Sequence, residues 1–280
     1  MTLFSKLAVF ALSISFFPAV HAEDENKPLW EIGAGVAAIN LPIYRCANER
    51  RSFILPVPYL VYRGETLQVD RDRLRGLIFR NDSLEMDISI NGSVPAKSNN
   101  SVERSGMPDL LPTLEIGPSL NKHLYYSEDK QVNFDMRFPL RAVIASNLSH
   151  SQGAGLLFQP QLNFDVHDIQ HSGWNLGLVG SIIFSDRTYQ RYFYDVLPQY
   201  ATTIRPAYTS TGGYSGTQFI GALSRRYENH WVACFVKLDD LTGATFVNSQ
   251  LVNSRQSATV GFAVSWILDK SDKLVKVNNN

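Results

Sequence analysis

Apolar and polar residues alternate along most of this chain with a period of two. In the stretch 84–91, Leu84, Met86, Ile88 and Ile90 alternate with Glu85, Asp87, Ser89 and Asn91. From residue 133 onward, Phe134, Met136, Phe138 and Leu140 are interleaved with Asn133, Asp135, Arg137 and Arg141. The stretch 156–167 repeats the pattern, with Leu156, Phe158, Leu162, Phe164 and Val166 set against Gln159, Gln161, Asn163, Asp165 and His167. Side chains of a strand point alternately to opposite faces, so this pattern predicts strands with one apolar and one polar face.

Length refines the prediction. Strands of globular proteins run to about 5–6 residues, whereas a membrane-crossing strand needs roughly 9–11. The segments 133–146, 153–168, 174–186, 216–228 and 257–268 all meet the longer requirement. Further strands are predicted at 30–39, 53–63, 66–70, 76–80, 84–91, 111–121 and 230–239. The count is about twelve, an even number, as a closed antiparallel bacterial barrel needs. The predicted fold is therefore all-β, a closed antiparallel transmembrane β-barrel of about twelve strands. Trp30, Tyr59, Tyr62, Tyr125, Tyr126, Trp174, Tyr189, Tyr192, Tyr194, Trp231 and Trp266 fall mostly toward strand ends, where interfacial girdles form.

The N-terminus changes the compartment. Lys6, the apolar run 7–17, the break at Pro18 and the small residues Val20 and Ala22 form a secretory leader, with cleavage expected after Ala22. The chain then divides into a leader (1–22), a barrel (23–268) and a polar C-terminal tail (269–280). Loss of Lys6 leaves the mature chain with one acidic residue in excess, which argues against nucleic acid as a partner. Past the leader no uncharged apolar run approaches the length of a membrane helix. The two cysteines, Cys46 and Cys234, lie far apart in sequence; an oxidising compartment permits a disulfide, and a small apolar role for Cys234 is the simpler reading.

Two connections are long. The stretch 91–110 is rich in Asn, Ser, Gly and Pro, and 189–215 is rich in tyrosine and broken by prolines. Loops of this size carry function or disorder, and in barrels of this kind they face outward from the cell.

Several blocks bear a family resemblance. They are Asp186-Arg187 with Tyr189, Tyr192 and Tyr194; Arg205-Pro206-Ala207-Tyr208; Gly212-Gly213-Tyr214-Ser215-Gly216; Ser224-Arg225-Arg226; and the stretches 241–252 and 261–267. Pro56-Val57-Pro58-Tyr59 and Tyr62-Arg63-Gly64 fit as well. Together they resemble the MipA/OmpV family of outer-membrane proteins, the MltA-interacting proteins. The resemblance implies an outer-membrane location and a scaffold role, with a lytic murein transglycosylase and a bifunctional penicillin-binding protein as partners. It also implies the alternatives of a porin-like channel or an adhesin. Asp186, Arg187, Tyr189, Tyr192, Tyr194, Arg205, Pro206, Tyr208, Tyr214 and Arg225 are the family-motif positions. One departure stands out: such barrels end on an aromatic residue in the last strand, whereas here Trp266 is followed by a polar tail.

Catalytic chemistry is not legible. Gly213-Tyr214-Ser215-Gly216 does not make the nucleophile elbow. His167 and His171 straddle a turn, where they read as solvated, and no metal spacing or cofactor motif is present. The expectation is a non-enzyme without cofactors. The polar strand faces are more informative: Glu85, Asp87, Glu115, Asp135, Arg137, Arg141, Asp165 and Arg226 should point into the lumen. Their mixed signs predict either ion pairs that fill the interior or a narrow polar pore. The arginines at 71, 73 and 75, with those at 187, 225 and 226, read as a charged rim at the membrane boundary, with outer-membrane lipid around it.

Overall fold

The computed structural model describes residues 26–64, 67–70, 73–76, 79–80, 84–129, 131–147 and 149–276. The leader and its cleavage site lie outside the described residues, as do parts of the strands expected at 66–70 and 76–80. The strands are β1 (Asn26–Pro28), β2 (Trp30–Pro42), β3 (Arg50–Arg63), β4 (Leu67–Asp70), β5 (Arg73–Gly76), β6 (Phe79–Arg80), β7 (Leu84–Ser93) and β8 (Thr113–Tyr126). They continue as β9 (Val132–Ser146), β10 (Ser151–Phe158), β11 (Gln161–Val166), β12 (Trp174–Ser185), β13 (Gly213–Arg226), β14 (His230–Asp240), β15 (Gln256–Lys270) and β16 (Leu274–Lys276). One α-helix, α1 (Arg187–Tyr194), is found among the described residues.

All but β1 and β16 form one sheet of 14 strands, in the order β5-β4-β3-β2-β15-β14-β13-β12-β10-β9-β8-β7-β6, with β11 between β12 and β9. Every pairing is antiparallel. Chain order and sheet order agree, as in a meander of hairpins. The two ends of the path, β5 and β6, are separated in the chain by residues 77 and 78 alone, and β5 lies beside β7.

Connections differ between the two ends of the sheet. At one end the chain passes through 43–49, 94–112, 186–212 and 241–255; at the other it turns within 127–131, 167–173 and 227–229. β1 pairs with β16 at the short-turn end, bringing Asn26 opposite Lys276. The expected polar tail thus contains a strand, and β15 itself runs on to Lys270.

The strand expected at 153–168 is broken. β10 and β11 each pair with both β9 and β12, but Gln159 and Pro160 interrupt them, since proline has no N–H to give the ladder. Residues 167 and 168 fall in the following turn, where Asp168 adopts a left-handed φ of 49°. The tyrosine-rich stretch expected as a loop opens with α1. Asp186 caps it, its side chain accepting from Tyr189 N–H at 2.8 Å.

Burial inverts the usual order. Ile32, Val36, Leu60, Leu120, Leu140, Ile144, Leu162, Phe164, Ile182, Phe219, Val236, Leu238, Val260 and Phe262 are exposed. Their neighbours Glu31, Glu85, Asp87, Glu115, Asn121, Asp135, Arg137, Arg141, Asn163, Asp239, Thr259 and Ser265 are buried. A water-soluble sheet would do the reverse. Apolar residues outside and polar ones inside are what a lipid-facing sheet requires.

Candidate functional site

The inner face carries a polar belt that spans six strands. Arg141 on β9 donates to Ser89 Oγ on β7 at 3.2 Å and to the Gln159 side-chain oxygen. Its Nε lies 3.1 Å from Glu115 Oε2 on β8, a contact of charges in which neither atom has an aligned hydrogen bond. Gln159 Nε2 donates to Ser181 Oγ on β12 at 2.9 Å and to Gln218 Oε1 on β13 at 3.2 Å. Gln218 Nε2 passes the chain to Asp239 Oδ1 on β14 at 2.9 Å. Arg45, from the connection after β2, closes it by donating to the same Asp239 oxygen at 2.9 Å and to the Ser215 carbonyl at 3.0 Å. Burial opposes the Arg45 charge most strongly, but Asp239, Tyr194 and Tyr189 around it together outweigh that and hold its pKa above the ordinary value. The break at Gln159-Pro160 is what frees Gln159 to span two strands.

Toward the short-turn end two smaller clusters line the interior. Glu31 takes Arg63 at 2.9 Å, Arg226 at 2.7 Å and the Tyr59 hydroxyl at 3.2 Å. His123 Nδ1 sits 2.8 Å from Asp135 Oδ1 and 2.6 Å from the Tyr126 hydroxyl, while Arg137 reaches the other Asp135 oxygen at 3.2 Å. Charges drawn from opposite signs neutralise one another here, as burial demands.

At the long-connection end the interior turns apolar. Val143, Ala145, Ala154, Leu157 and Ile183, near their strand ends, join one buried cluster with Tyr44, Tyr189, Phe193, Tyr194, Leu241, Phe246 and Leu251 from three connections. Tyr194 stacks on Phe246 with centroids 3.9 Å apart, and Tyr44 meets Tyr194 edge-on at 6.2 Å. Polar ties lock the stack. The Tyr44 hydroxyl donates to Leu251 O at 2.7 Å and the Tyr194 hydroxyl to Arg45 O at 3.3 Å. Arg104, buried from the β7–β8 connection, donates to Phe193 O and Pro108 O, both at 3.1 Å. Arg205 bridges the same connection through Glu103 O and Ser105 O. Burial pushes the Tyr44, Tyr189 and Tyr194 phenols above their ordinary pKa. Gly155, at a bulge of β10 with φ +101°, lets α1 approach: a Cβ there would meet Tyr189 N at 2.4 Å.

The predicted positions separate into three groups. Glu85, Asp87, Glu115, Asp135, Arg137 and Arg141 are buried on the inner face, and Asp165 and Arg226 share that face while remaining more open. Asp186, Tyr189, Tyr192, Tyr194, Arg205 and Tyr208 gather in the loop core or its supports, whereas Arg187 and Pro206 are exposed. Tyr214 packs on the outward Phe184, and Arg225 lies 4.7 Å over the Tyr227 ring at the opposite end, so the motif positions do not form one site. The girdle expectation needs a matching correction. Trp30, Tyr62, Trp174 and Trp266 face outward near the short turns, but Tyr189 and Tyr194 are buried among loop aromatics, and Tyr59 is buried beside Glu31.

Sequence reasoning missed Glu31, Arg45 and Asp239, and it put Gln159 on a polar strand face without its bridging role. Glu31 was visible as the lone acid in an otherwise apolar strand. Cys46 and Cys234 are free thiols, the first buried and the second exposed on the outer face. Among the described residues no cluster of three His, Cys, Asp or Glu could hold a metal, and no helix is long and apolar enough to cross a membrane.

An antiparallel all-β sheet, apolar outside and polar inside, defines the class. The chain belongs to the MipA family: the family described as MltA-interacting protein MipA matches residues 32–268. No curated protein sequence matches it. Among solved structures it is similar to the NanC porin, at 10% identity and TM-score 0.38, over 85% of this chain and 100% of that one. It is also similar to the Pseudomonas putida toluene transporter TodX, at 9% identity and TM-score 0.28, over 88% and 68% of the two chains. The Ralstonia pickettii toluene transporter TbuX follows at 8% identity and TM-score 0.26, over 89% and 71%. Likenesses this distant carry no argument about activity.

Proposed function

We propose that the chain is a closed outer-membrane barrel, stoppered by its own outer loops, that serves as a non-enzymatic scaffold for murein-processing enzymes. Connectivity supports closure: with only residues 77 and 78 between β5 and β6, three Cα–Cα steps hold the two ends of the strand path within about 11 Å. Joining them makes one interrupted strand of β5 and β6, as β10 and β11 already are, and gives twelve strands. The disposition of long and short connections supports an extracellular long-loop end and a periplasmic short-turn end.

The observation that carries the scaffold reading is the loop core. Tyr194, Phe246 and Tyr44 pack in the mouth above a hydrogen-bonded belt, which favours a plugged interior over a conducting one. The family's name supports a lytic murein transglycosylase as partner, met at the periplasmic end, with a bifunctional penicillin-binding protein as the second enzyme. The test is capture of a purified lytic transglycosylase by the refolded chain. Binding is expected, and it should weaken when the turns at 127–131 and 227–229 are replaced by Gly-Ser linkers. Absence of binding to any murein hydrolase or synthase removes the reading.

A second reading, surface recognition, is favoured by Val102 and Ile204, which stand 76% and 81% exposed on the two connections tied by Arg205. Loss of adhesion on their replacement by Ser would support it.

A further inference from the structure

Arg226 donates to Glu31 inside the sheet, so the preceding residue of β13, Arg225, faces outward at the short-turn end. Its guanidinium is framed by aromatic rings and a glycine. Cζ stands 4.7 Å over the Tyr227 ring, and that ring stacks on His230 at 4.5 Å with 11° between the planes. Gly173 comes so close that a Cβ there would stand 3.3 Å from Arg225 Nε.

The turn that carries Gly173 is wound through left-handed backbone. Asp168, Gln170 and His171 have φ of 49°, 50° and 58°, and Gly173 has 77°. Non-glycine residues in that region store strain. Here it is held by Gly173 N–H, which donates to Asp168 Oδ1 at 2.6 Å, and by Asp168 N–H, which donates to Asn175 Oδ1 at 3.1 Å. The cation is thus positioned before any ligand arrives, which lowers the ordering cost of binding.

Arg225 is half-buried, and among the described residues it has no hydrogen bond or ion pair. The segments that surround it, 167–176 and 223–232, are described throughout. The Asp168 carboxylate of the facing turn is engaged by Gly173 N–H and lies 3.5 Å from His171. Glu228, in the turn after β13, is exposed.

The neighbours of Arg225 are those of a membrane boundary. Trp174 is its cross-strand partner on β12, and Trp266 pairs with His230. Tryptophan settles at headgroup level. Toward the middle of the sheet the outward positions Leu223, Phe219 and Val236 are apolar and exposed. A guanidinium therefore stands where the phosphate of a phospholipid lies, with an apolar strip where the acyl chains lie.

From this juxtaposition we infer that the Arg225–Tyr227–His230 stack is a binding site for an anionic glycerophospholipid in the leaflet at the short-turn end. The guanidinium takes two oxygens of the phosphodiester while its face stays on Tyr227, a combination that lysine cannot reproduce. The acyl chains lie along Leu223 and Phe219. The apolar strip favours a bilayer lipid over a soluble phosphate ester, which would have no use for it.

The inference rests on the membrane-barrel reading, and the test separates the two. The refolded chain is held in detergent micelles and checked for heat-modifiable gel migration. Retained adducts are then counted by native mass spectrometry with dioleoylphosphatidylglycerol, dioleoylglycerol or glycerophosphoglycerol added. Phosphatidylglycerol should be retained about fivefold more than dioleoylglycerol, which has the chains without the phosphate. Arg225→Gln should bring the two to parity, and Arg225→Lys should fall between. Arg187→Gln, at the opposite end of the sheet, should leave the ratio unchanged. Equal retention by the unaltered chain overturns the site, as does a preference that survives Arg225→Gln. Arg225-dependent retention of glycerophosphoglycerol as strong as that of the lipid overturns the assignment to a bilayer lipid. A chain without heat-modifiable migration overturns the barrel reading and the site with it, a result distinct from a heat-modifiable barrel that holds both lipids equally.

Discussion

Tyr194 and Phe246 lie face to face at 3.9 Å, with 16° between their rings, and so join the connection after β12 to the connection after β14. This stack is the keystone of the loop core: Ser249 Oγ donates to Tyr194 O at 2.7 Å, and Phe246 is 1% exposed. Replacing Phe246 by Ala removes one ring and leaves a cavity, at a cost of about 3 kcal/mol or more to the loop core. The expected outcome is rapid thermolysin cleavage within 241–255, before Leu251 or Val252, with heat-modifiable migration of the barrel retained.

The helix approach gives a sharper variant. Gly155→Ala puts a Cβ onto the α1 backbone at a left-handed position. Helix α1 should detach and unwind, letting trypsin cut at Arg187 and Arg191, whose side chains are already exposed, while the β9–β10 hairpin stays paired. Unchanged protease resistance would contradict the packing of α1 against Gly155.

Within the belt, Arg141→Ala leaves Glu115 buried without its counter-charge, which costs about 3–5 kcal/mol. The paired change Arg141→Met with Glu115→Gln should recover most of that loss. Urea midpoints of the refolded protein in detergent check both, and equal midpoints for the single and double variants would contradict the pairing.

Alkali should loosen the stopper. The Tyr44, Tyr189 and Tyr194 phenols titrate above their ordinary value of 10.0 because burial disfavours the phenolate. Their raised folded pKa means the folded core holds protons that the unfolded loops release. The stabilisation is complete below pH 10 and falls as pH climbs beyond it. Loop proteolysis should be flat between pH 7 and 9 and rise above 10, in step with phenolate absorbance.

The thiols should differ. Cys46 is buried, and burial pushes its pKa up, so it should resist maleimide until denatured. Cys234 should label in the folded protein with an apolar maleimide in detergent. A disulfide, visible as no labelling before reduction, would contradict the structure.

Much of the sheet was legible because a strand writes its two faces locally, as period two. The run predicted at 133–146 is β9, and those at 174–186 and 257–268 are β12 and β15, within two residues. The burial of Glu85, Asp87, Glu115, Asp135, Arg137 and Arg141 on one face of the sheet follows the same alternation. What escaped was tertiary. Nothing local says that Tyr194 will lie on Phe246, that Gln159 will bridge Arg141 to Gln218, or that Arg45 will leave its loop for Asp239. Helix α1 was hidden because eight residues rich in tyrosine carry little helical signal and the helix stands on its cap and on Gly155. β1 and β16 are three residues each and form only because the chain ends meet.

The most direct test is single-channel conductance of the refolded chain in planar bilayers, unaltered and as Phe246→Ala. The account predicts a heat-modifiable barrel that is silent when unaltered and shows unitary openings once the stack is removed. Steady open channels in the unaltered chain would contradict the stopper, and with it the scaffold reading that rests on a plugged interior.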